Sequence, residues 1–199
     1  MQTIAWIAAV VLLISSVGLL ISRNWRVSII LLALQYLAMF ILLLLRIPIG
    51  LASVKVVSGW MSSAILGMTR SGLTGNNAVD EESIWPRGRL FRLFMAGIVG
   101  LLVAGATPTV DTLMADAGFA ITGGSLMLIG MGLLHLGITS QILRVTLGLL
   151  TVLTGFEILY STVEVSALVT ALLSTITLGL ALVGSYLMIA SGSSETETP

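Results

Sequence analysis

Cysteine is absent from this sequence, and histidine occurs once, at His135. Without cysteine, the chain forms no internal disulfide and holds no iron–sulfur cluster through its own thiolates. A zinc site with several nitrogen or sulfur ligands is nearly excluded for the same reason. The sequence also has no phosphate loop, dinucleotide fingerprint or nucleophile triad, and we expect this chain to bind no cofactor and no metal and to carry no catalytic residue. Any redox chemistry would belong to partner chains.

Charge is also scarce: 9% of the 199 residues are charged and 57% are hydrophobic. Soluble domains average about 25% charged residues. The nine basic and nine acidic residues cancel, so nothing suggests a nucleic-acid partner. The apolar residues form runs of about 20, the length that crosses a ~30 Å hydrocarbon core. The sequence predicts an all-α polytopic bundle of about seven transmembrane helices in the lipid bilayer, forming a single membrane domain over residues 1–190.

The apolar runs give the expected helix boundaries. Proline and polar clusters mark the breaks, with Pro48 expected in the first turn of helix 3 and Pro108 at the exit of helix 4. Residues 69–90 form the expected loop, and residues 191–199 a disordered tail. Helices 1 to 3 are placed within 4–68 (4–21, 27–45 and a third that ends at 68), helix 4 at 90–106, and helices 5 to 7 within 121–190 (121–140, 143–160 and 165–190).

The distribution of arginine predicts the orientation, because basic residues collect in cytoplasmic connections. An outside N-terminus and an inside C-terminus place only Arg46 in an outer loop. The loop 69–90 is then cytoplasmic and is a candidate docking surface for a cytoplasmic partner, with lipid headgroup contact as the alternative. The inner connections would hold Arg23, Arg26, Arg70, Arg87, Arg89, Arg92 and Arg144.

A weak internal repeat is visible at a shift of 118 residues. The shift places Arg26-Val27-Ser28 on Arg144-Val145-Thr146 without a gap. Both strings follow a short polar turn and open an apolar helix. Helices 1 to 3 and 5 to 7 are therefore interpreted as two three-helix units joined by helix 4, with chance similarity of apolar strings as the alternative.

Two ionisable residues lie well inside predicted helices, Lys55 in helix 3 and Glu157 in helix 6. A charge in the bilayer core costs about 3 kcal/mol or more, so such residues usually face a protein interior or a water path. At 1.5 Å per residue, both fall in the outer half of the membrane, within roughly 6 Å of each other in depth. We interpret them as members of an ion path. The alternatives are a lysine that reaches toward the surface and an interfacial carboxylate.

Two more polar residues join this hypothetical path. Gln35, in the middle of helix 2, can form a hydrogen bond across helices worth about 1 kcal/mol. His135 lies near the inner end of helix 5. A single helical histidine is more often an interhelical hydrogen-bonding contact than a ligand or a relay, and both roles stay open for His135.

The string Gly155-Phe156-Glu157-Ile158-Leu159 resembles the Gly-Leu-Glu motif of the K subunit of bacterial respiratory complex I. It is also similar to the related C subunit of multisubunit sodium/proton antiporters. In that family the motif glutamate lies on the second of three helices, as Glu157 does within helices 5 to 7. Gly179-Leu180-Ala181-Leu182 resembles the third helix of the family. The K subunit has a second glutamate there, whereas this chain has Thr175, so the second glutamate has no counterpart.

Over most of its length the chain resembles the seven-helix E subunit of hydrogenase-4 and formate hydrogenlyase complexes. The match runs through Arg26, Gln35 and Lys55 and resumes at Ile142-Leu143-Arg144 and Gly148. The resemblance implies a non-catalytic subunit of a multisubunit complex in a prokaryotic inner membrane, beside antiporter-like subunits. It implies a contribution to proton translocation coupled to electron transfer. A subunit of a cation/proton antiporter without a redox module and a purely structural membrane subunit are the alternatives.

Overall fold

The computed structural model describes residues 2–73, 88–114 and 117–194. Within these ranges every regular element is an α-helix, and all seven helices are long and apolar enough to cross a membrane. The predicted all-α polytopic bundle is therefore confirmed. Most of the expected loop (residues 74–87, with Arg87) and residues 195–199 of the expected tail lie outside the described residues. The helices are α1 (Gln2–Ile21), α2 (Trp25–Leu43), α3 (Ile49–Leu73), α4 (Arg89–Leu113), α5 (Phe119–Ile138), α6 (Ile142–Val163) and α7 (Ala167–Ser194).

Three helices continue four or more residues beyond the ends that the sequence predicted. α3 continues to Leu73 beyond the expected end at residue 68, and α7 continues to Ser194, into the expected tail. The prediction that Pro108 marks the exit of α4 is wrong, because the helix runs through this proline to Leu113. Membrane helices tolerate an internal proline, since local adjustments and nearby Ser or Thr hydroxyls satisfy the freed backbone groups. Where water does not compete for backbone groups, an intact helix is the favoured state.

Local capping explains two of the helix starts. The Asn24 side chain accepts a hydrogen bond from the Arg26 backbone N–H at 3.0 Å and caps the start of α2. The Pro48 carbonyl accepts the backbone N–H of Ala52 at 3.2 Å. Pro48 therefore precedes α3 by one residue, where the sequence placed it inside the first turn.

The helices form two rows of three, with α4 at one side. The first triple (α1, α2, α3) and the second triple (α5, α6, α7) each pack as a row of neighbours, and α4 contacts α5 and α1. Between the rows, α1 contacts α5, α2 contacts α6 and α3 contacts α7. A two-fold axis along the membrane normal would place α1 opposite α7. The triples are instead stacked in the same sense, each helix beside the helix of the same rank.

The expected repeat has a counterpart in this arrangement. Arg26 is the second residue of α2 and Arg144 the third residue of α6, so the sequence shift of 118 superposes the same part of equivalent helices. Within the rows, neighbouring helices approach closely at several glycines. A Cβ on Gly155 of α6 would lie 2.7 Å from the Ser125 carbonyl oxygen of α5, so only glycine permits this backbone approach.

The charged residues separate between the two ends of the bundle. One end, called here the arginine-rich end, holds the starts of α2, α4 and α6, where Arg26, Arg89, Arg92 and Arg144 lie. Arg46 lies at the opposite end, called here the Arg46 end, between α2 and α3. The predicted segregation of arginine is thus present among the described residues, while the side of the membrane that each end faces stays a prediction.

Candidate functional site

Lys55 and Glu157 form a buried ion pair inside the helix bundle. The Lys55 Nζ donates to Glu157 Oε1 at 2.7 Å, and the two side chains are 5% and 2% exposed. Lys55 follows the start of α3 by about six residues and Glu157 precedes the end of α6 by the same number, so both lie roughly 9 Å from the Arg46 end. The similar depth expected from the sequence is matched by direct contact. The Lys55 ammonium ends on a carboxylate and not in surface water.

The pair spans a diagonal between two helices whose backbones hardly approach each other. α2 and α7 each contact both α3 and α6, so these four helices form a ring with α3 and α6 at opposite corners. Lys55 extends from α3 and Glu157 from α6 into the centre of this ring. Their contact is therefore enclosed by protein on all sides and is shielded from lipid.

Tyr36 of α2 lies beside the ion pair and is 1% exposed. Its ring packs on Gly59, one turn beyond Lys55, where an added Cβ would lie 2.2 Å from the ring carbons. Gly59 is therefore required for the ring to occupy this position. The Tyr36 hydroxyl is a neighbour of the Thr154 hydroxyl and is close enough to Glu157 to experience its charge.

Thr177 of α7 provides a second hydroxyl next to the carboxylate. It lies close enough to Glu157 to act on its carboxylate, while its hydroxyl donates to the Leu173 carbonyl at 2.9 Å. The backbone carbonyl of Thr177 accepts the hydroxyl of Ser62 from α3 at 3.3 Å. The ring thus surrounds its ion pair with hydroxyl groups from three helices, α2, α6 and α7.

Sequence reasoning did not find Tyr36 and Thr177. Both lie in apolar helices where a hydroxyl attracts no notice, because it can bond within its own helix or simply pack. The spacing Lys55–Gly59 is one helical turn, but it predicts a contact only when the partner helix is known. A glycine in the middle of α3 is the one sequence feature that could have indicated close packing against a large side chain such as Tyr36.

Gln35 lies at a similar depth but makes no recorded contact with the pair. It is fully buried on α2, and within the described residues neither its Nε2 nor its Oε1 has a hydrogen-bond partner. The expected hydrogen bond across helices is therefore not formed there. An unsatisfied buried amide costs roughly 1–3 kcal/mol. The contacts of α2 therefore do not explain why a glutamine occupies position 35.

His135 lies at the other end of the bundle from the ion pair. It is 3% exposed on α5, and the charges of Arg144 and Arg92 act on it from α6 and α4. Arg92 donates through Nη1 to the Leu20 carbonyl at the end of α1, at 3.2 Å. About 13 residues of α6 separate Arg144 from Glu157, or roughly 20 Å along the helix. The structure does not bring His135 to the Lys55–Glu157 pair.

The site brings one ammonium and one carboxylate into direct contact inside the bundle. Across the described residues, no group of three or more His, Cys, Asp or Glu side chains is placed to hold a metal ion. The paired charges of Lys55 and Glu157 cancel, so the site is neutral overall. Removal of one partner would leave the other charge buried without compensation, which typically costs 3–5 kcal/mol.

Comparison with known proteins gives no relative from which to assign a role. No protein-family model matches the sequence, and no curated protein and no solved structure matches it either. The case for a function therefore depends on the geometry around Lys55 and Glu157 and on the motif that contains Glu157.

Proposed function

We propose that this chain is a non-catalytic integral membrane subunit of a complex I-like or group 4 hydrogenase-like assembly. In this role the Lys55–Glu157 pair takes part in proton translocation coupled to electron transfer. The observation that carries the proposal is the 2.7 Å contact of a lysine and a glutamate inside an apolar bundle. Intramembrane ionisable residues of this kind mark ion and proton pathways.

In the proposed proton cycle, uptake of a proton by Glu157 is followed by release of a proton from Lys55, so the net charge of the pair returns to zero. When Glu157 takes up a proton, its carboxylate becomes neutral and the Lys55 ammonium loses its counter-ion. The buried ammonium is then destabilised and releases its own proton, which restores net neutrality. Transfer of the glutamic acid proton to the neutral lysine amine resets the pair. One proton enters at Glu157 and one leaves from Lys55 in each cycle.

The neighbouring hydroxyls fit this cycle as proton donors and acceptors. Thr177 lies within reach of Glu157, and the Tyr36 and Thr154 hydroxyls lie beside each other near the same carboxylate. A hydroxyl both donates and accepts a hydrogen bond, so it can pass a proton to or from a carboxyl group. In this proposal the hydroxyls of α2, α6 and α7 that lie near Glu157 are the groups with which it exchanges its proton.

Coupling to electron transfer comes from partner subunits in this proposal. The resemblance to the K and E subunits implies antiporter-like membrane subunits beside this chain and a redox module elsewhere in the complex. A cation/proton antiporter without a redox module uses the same chemistry with a different driving force. The energy source distinguishes the two kinds of complex. Only the redox-coupled complex moves protons when an electron donor is supplied.

A structural role is the second candidate, and one observation favours it. The pair joins α3 to α6 across a diagonal where their backbones hardly approach. A subunit that only sealed helices between larger partners would use such a contact to fix the ring. Under this alternative, assembly depends on the pair, whereas proton movement does not depend on its titration.

The experiment that tests the proposal measures proton pumping in vesicles, driven by an electron donor and normalised to the amount of assembled complex. Glu157→Gln keeps the size and hydrogen-bonding capacity of the side chain but removes its titration. We expect less of the complex to assemble, because Lys55 loses its counter-ion, and pumping per assembled complex to fall by about tenfold or more, in line with the loss of a proton-transfer group. Normal pumping by this variant would contradict the proposal and favour a purely structural role for the subunit.

A further inference from the structure

A cavity of about 430 Å³ opens at the Arg46 end of the bundle. Its walls come from the first turns of α1, the residues that follow α2, and the start of α5. Ala5, Ala117, Ala120 and Ile121 form a buried apolar floor. This volume lies within the range of small-molecule sites in proteins, roughly 300–1,000 Å³.

Small residues create this space between the three elements. The floor consists largely of alanine, and Gly118 in the wall has a φ of +104°, which lets the chain turn sharply into α5. The Asp111 carboxylate fixes this turn by accepting the Gly118 N–H at 2.9 Å and the Thr122 hydroxyl at 2.8 Å. The cavity is therefore part of a well-anchored corner of the bundle.

The rim of the cavity combines one cation with aromatic and polar groups. Arg46 is the charged residue of the lining, and its Nη2 donates to the Ala117 carbonyl. A guanidinium has five N–H donors, so several remain to bind an anion. Trp6 and Phe119 are about half exposed beside it, at helix starts where aromatic side chains meet the membrane–water interface.

We propose that this cavity binds an anionic phospholipid, with the phosphate at Arg46 and part of an acyl chain on the apolar floor. The chemistry favours an amphiphile, because a free phosphate would gain nothing from Trp6 and the alanine floor. A zwitterionic lipid would gain less from Arg46, since its own cation competes for the phosphate. Basic pockets between transmembrane helices on the cytoplasmic side bind acidic lipid headgroups through the same pairing of cation and phosphate, and the proposal extends this chemistry to the Arg46 end, which is predicted to face outside.

The test uses the full chain, purified in mild detergent with any subunits that accompany it. Dioleoyl phosphatidylglycerol and dioleoyl phosphatidylcholine are added in separate titrations, and native mass spectrometry records the fraction of this chain that holds one lipid. The control for Arg46→Gln is Arg26→Gln, because Arg26 is an exposed arginine at the opposite end of the bundle. The control for Trp6→Ala is Ile7→Ala, because Ile7 is an exposed residue next to Trp6 on α1 that does not line the cavity.

We expect phosphatidylglycerol to half-saturate the chain at a concentration about fivefold lower than phosphatidylcholine. Arg46→Gln should abolish this preference, and Arg46→Lys should keep part of it. Trp6→Ala should weaken retention of both lipids, while Arg26→Gln and Ile7→Ala should leave both unchanged. Equal retention of the two lipids by the unaltered chain would overturn the proposal. Competition by inorganic phosphate alone, at the concentration of the lipid, would also overturn it in favour of a bare anion site.

Discussion

Lys55 and Glu157 are 102 residues apart in the sequence, and their side chains meet at 2.7 Å in the interior of the bundle. The stacking of the two triples gives this contact a particular setting. At the shift of 118 residues, the position of Glu157 corresponds to Met39 on α2, and that of Lys55 corresponds to Leu173 on α7. The four helices of the ring thus carry charged residues on one diagonal and apolar residues at the equivalent positions of the other. The ion pair is thus present on one diagonal of the ring and has no charged counterpart on the equivalent diagonal.

The energetic coupling of the pair can be measured by a double-mutant cycle. Lys55→Met should destabilise the protein by about 3–5 kcal/mol, because it leaves the Glu157 carboxylate buried without its counter-ion. The double variant Lys55→Met/Glu157→Met should lose far less, since two apolar side chains suit an apolar ring. Thermal unfolding in detergent measures both, with Arg26→Met as the control for loss of an exposed basic residue. Additive effects of the two single changes would contradict the buried contact.

A shared proton path predicts that Lys55→Met resembles Glu157→Gln in function. Each variant removes one titratable partner, so either should lower donor-driven pumping by about tenfold or more in complexes that still assemble. Pumping is normalised to assembled complex, which separates loss of stability from loss of proton transfer. A Lys55→Met complex that pumps normally would remove lysine from the proposed cycle.

Gly59 should control the site through Tyr36. A Cβ at position 59 would lie 2.2 Å from the Tyr36 ring, so Gly59→Ala must displace the ring or separate α2 from α3. We expect a cost of about 1–3 kcal/mol, as for other overpacked cores. The double variant Gly59→Ala/Tyr36→Leu should recover part of this loss, as measured by thermal unfolding. Gly50→Ala, where an added Cβ meets nothing within 4 Å, is the matched control on the same helix.

The orientation of the bundle is open to single-cysteine labelling, because the chain has no cysteine of its own. Ser71→Cys places an exposed thiol at the arginine-rich end, and Glu164→Cys places one at the Arg46 end. The arginine bias predicts that a membrane-impermeant maleimide reaches Glu164→Cys in intact cells, and Ser71→Cys only after permeabilisation. The reverse pattern would invert the topology.

Association with other subunits predicts the behaviour of the chain on purification. α4 and α7 bury only a small part of their surface within the bundle, and the proposed role requires antiporter-like neighbours. Affinity purification in mild detergent should recover larger membrane subunits with this chain in fixed proportion. Recovery of a folded, stable monomer alone would argue against a subunit role.

The depth of the two charges could be read from the sequence, but their contact could not. Counting residues from the ends of apolar runs placed Lys55 and Glu157 at a similar level, because the rise per residue of a helix is constant. The same counting gave no information on azimuth, so it did not exclude a lysine pointing to lipid. Counting also placed His135 near the inner end of helix 5, yet the ion-path hypothesis included it, although roughly 20 Å of α6 separates Glu157 from the level of Arg144, which acts on His135. The end of α4 was wrongly predicted at Pro108, because proline stops a helix more readily in water than in a membrane.

The sequence by itself determined that the chain crosses a membrane as a set of apolar helices, and it singled out the few polar residues that such helices do not tolerate without reason. These properties are local, since they depend on the length and composition of each run. Only the tertiary structure decided that α3 faces α6 across a ring, that Gly59 receives Tyr36, and that alanines leave a cavity beside Arg46. In lipid, apolar side chains gain little by exchanging a lipid contact for a helix contact, so close packing and hydrogen bonds select the helix partners. That selection depends on shapes from several helices at once, and no single segment of the sequence contains it.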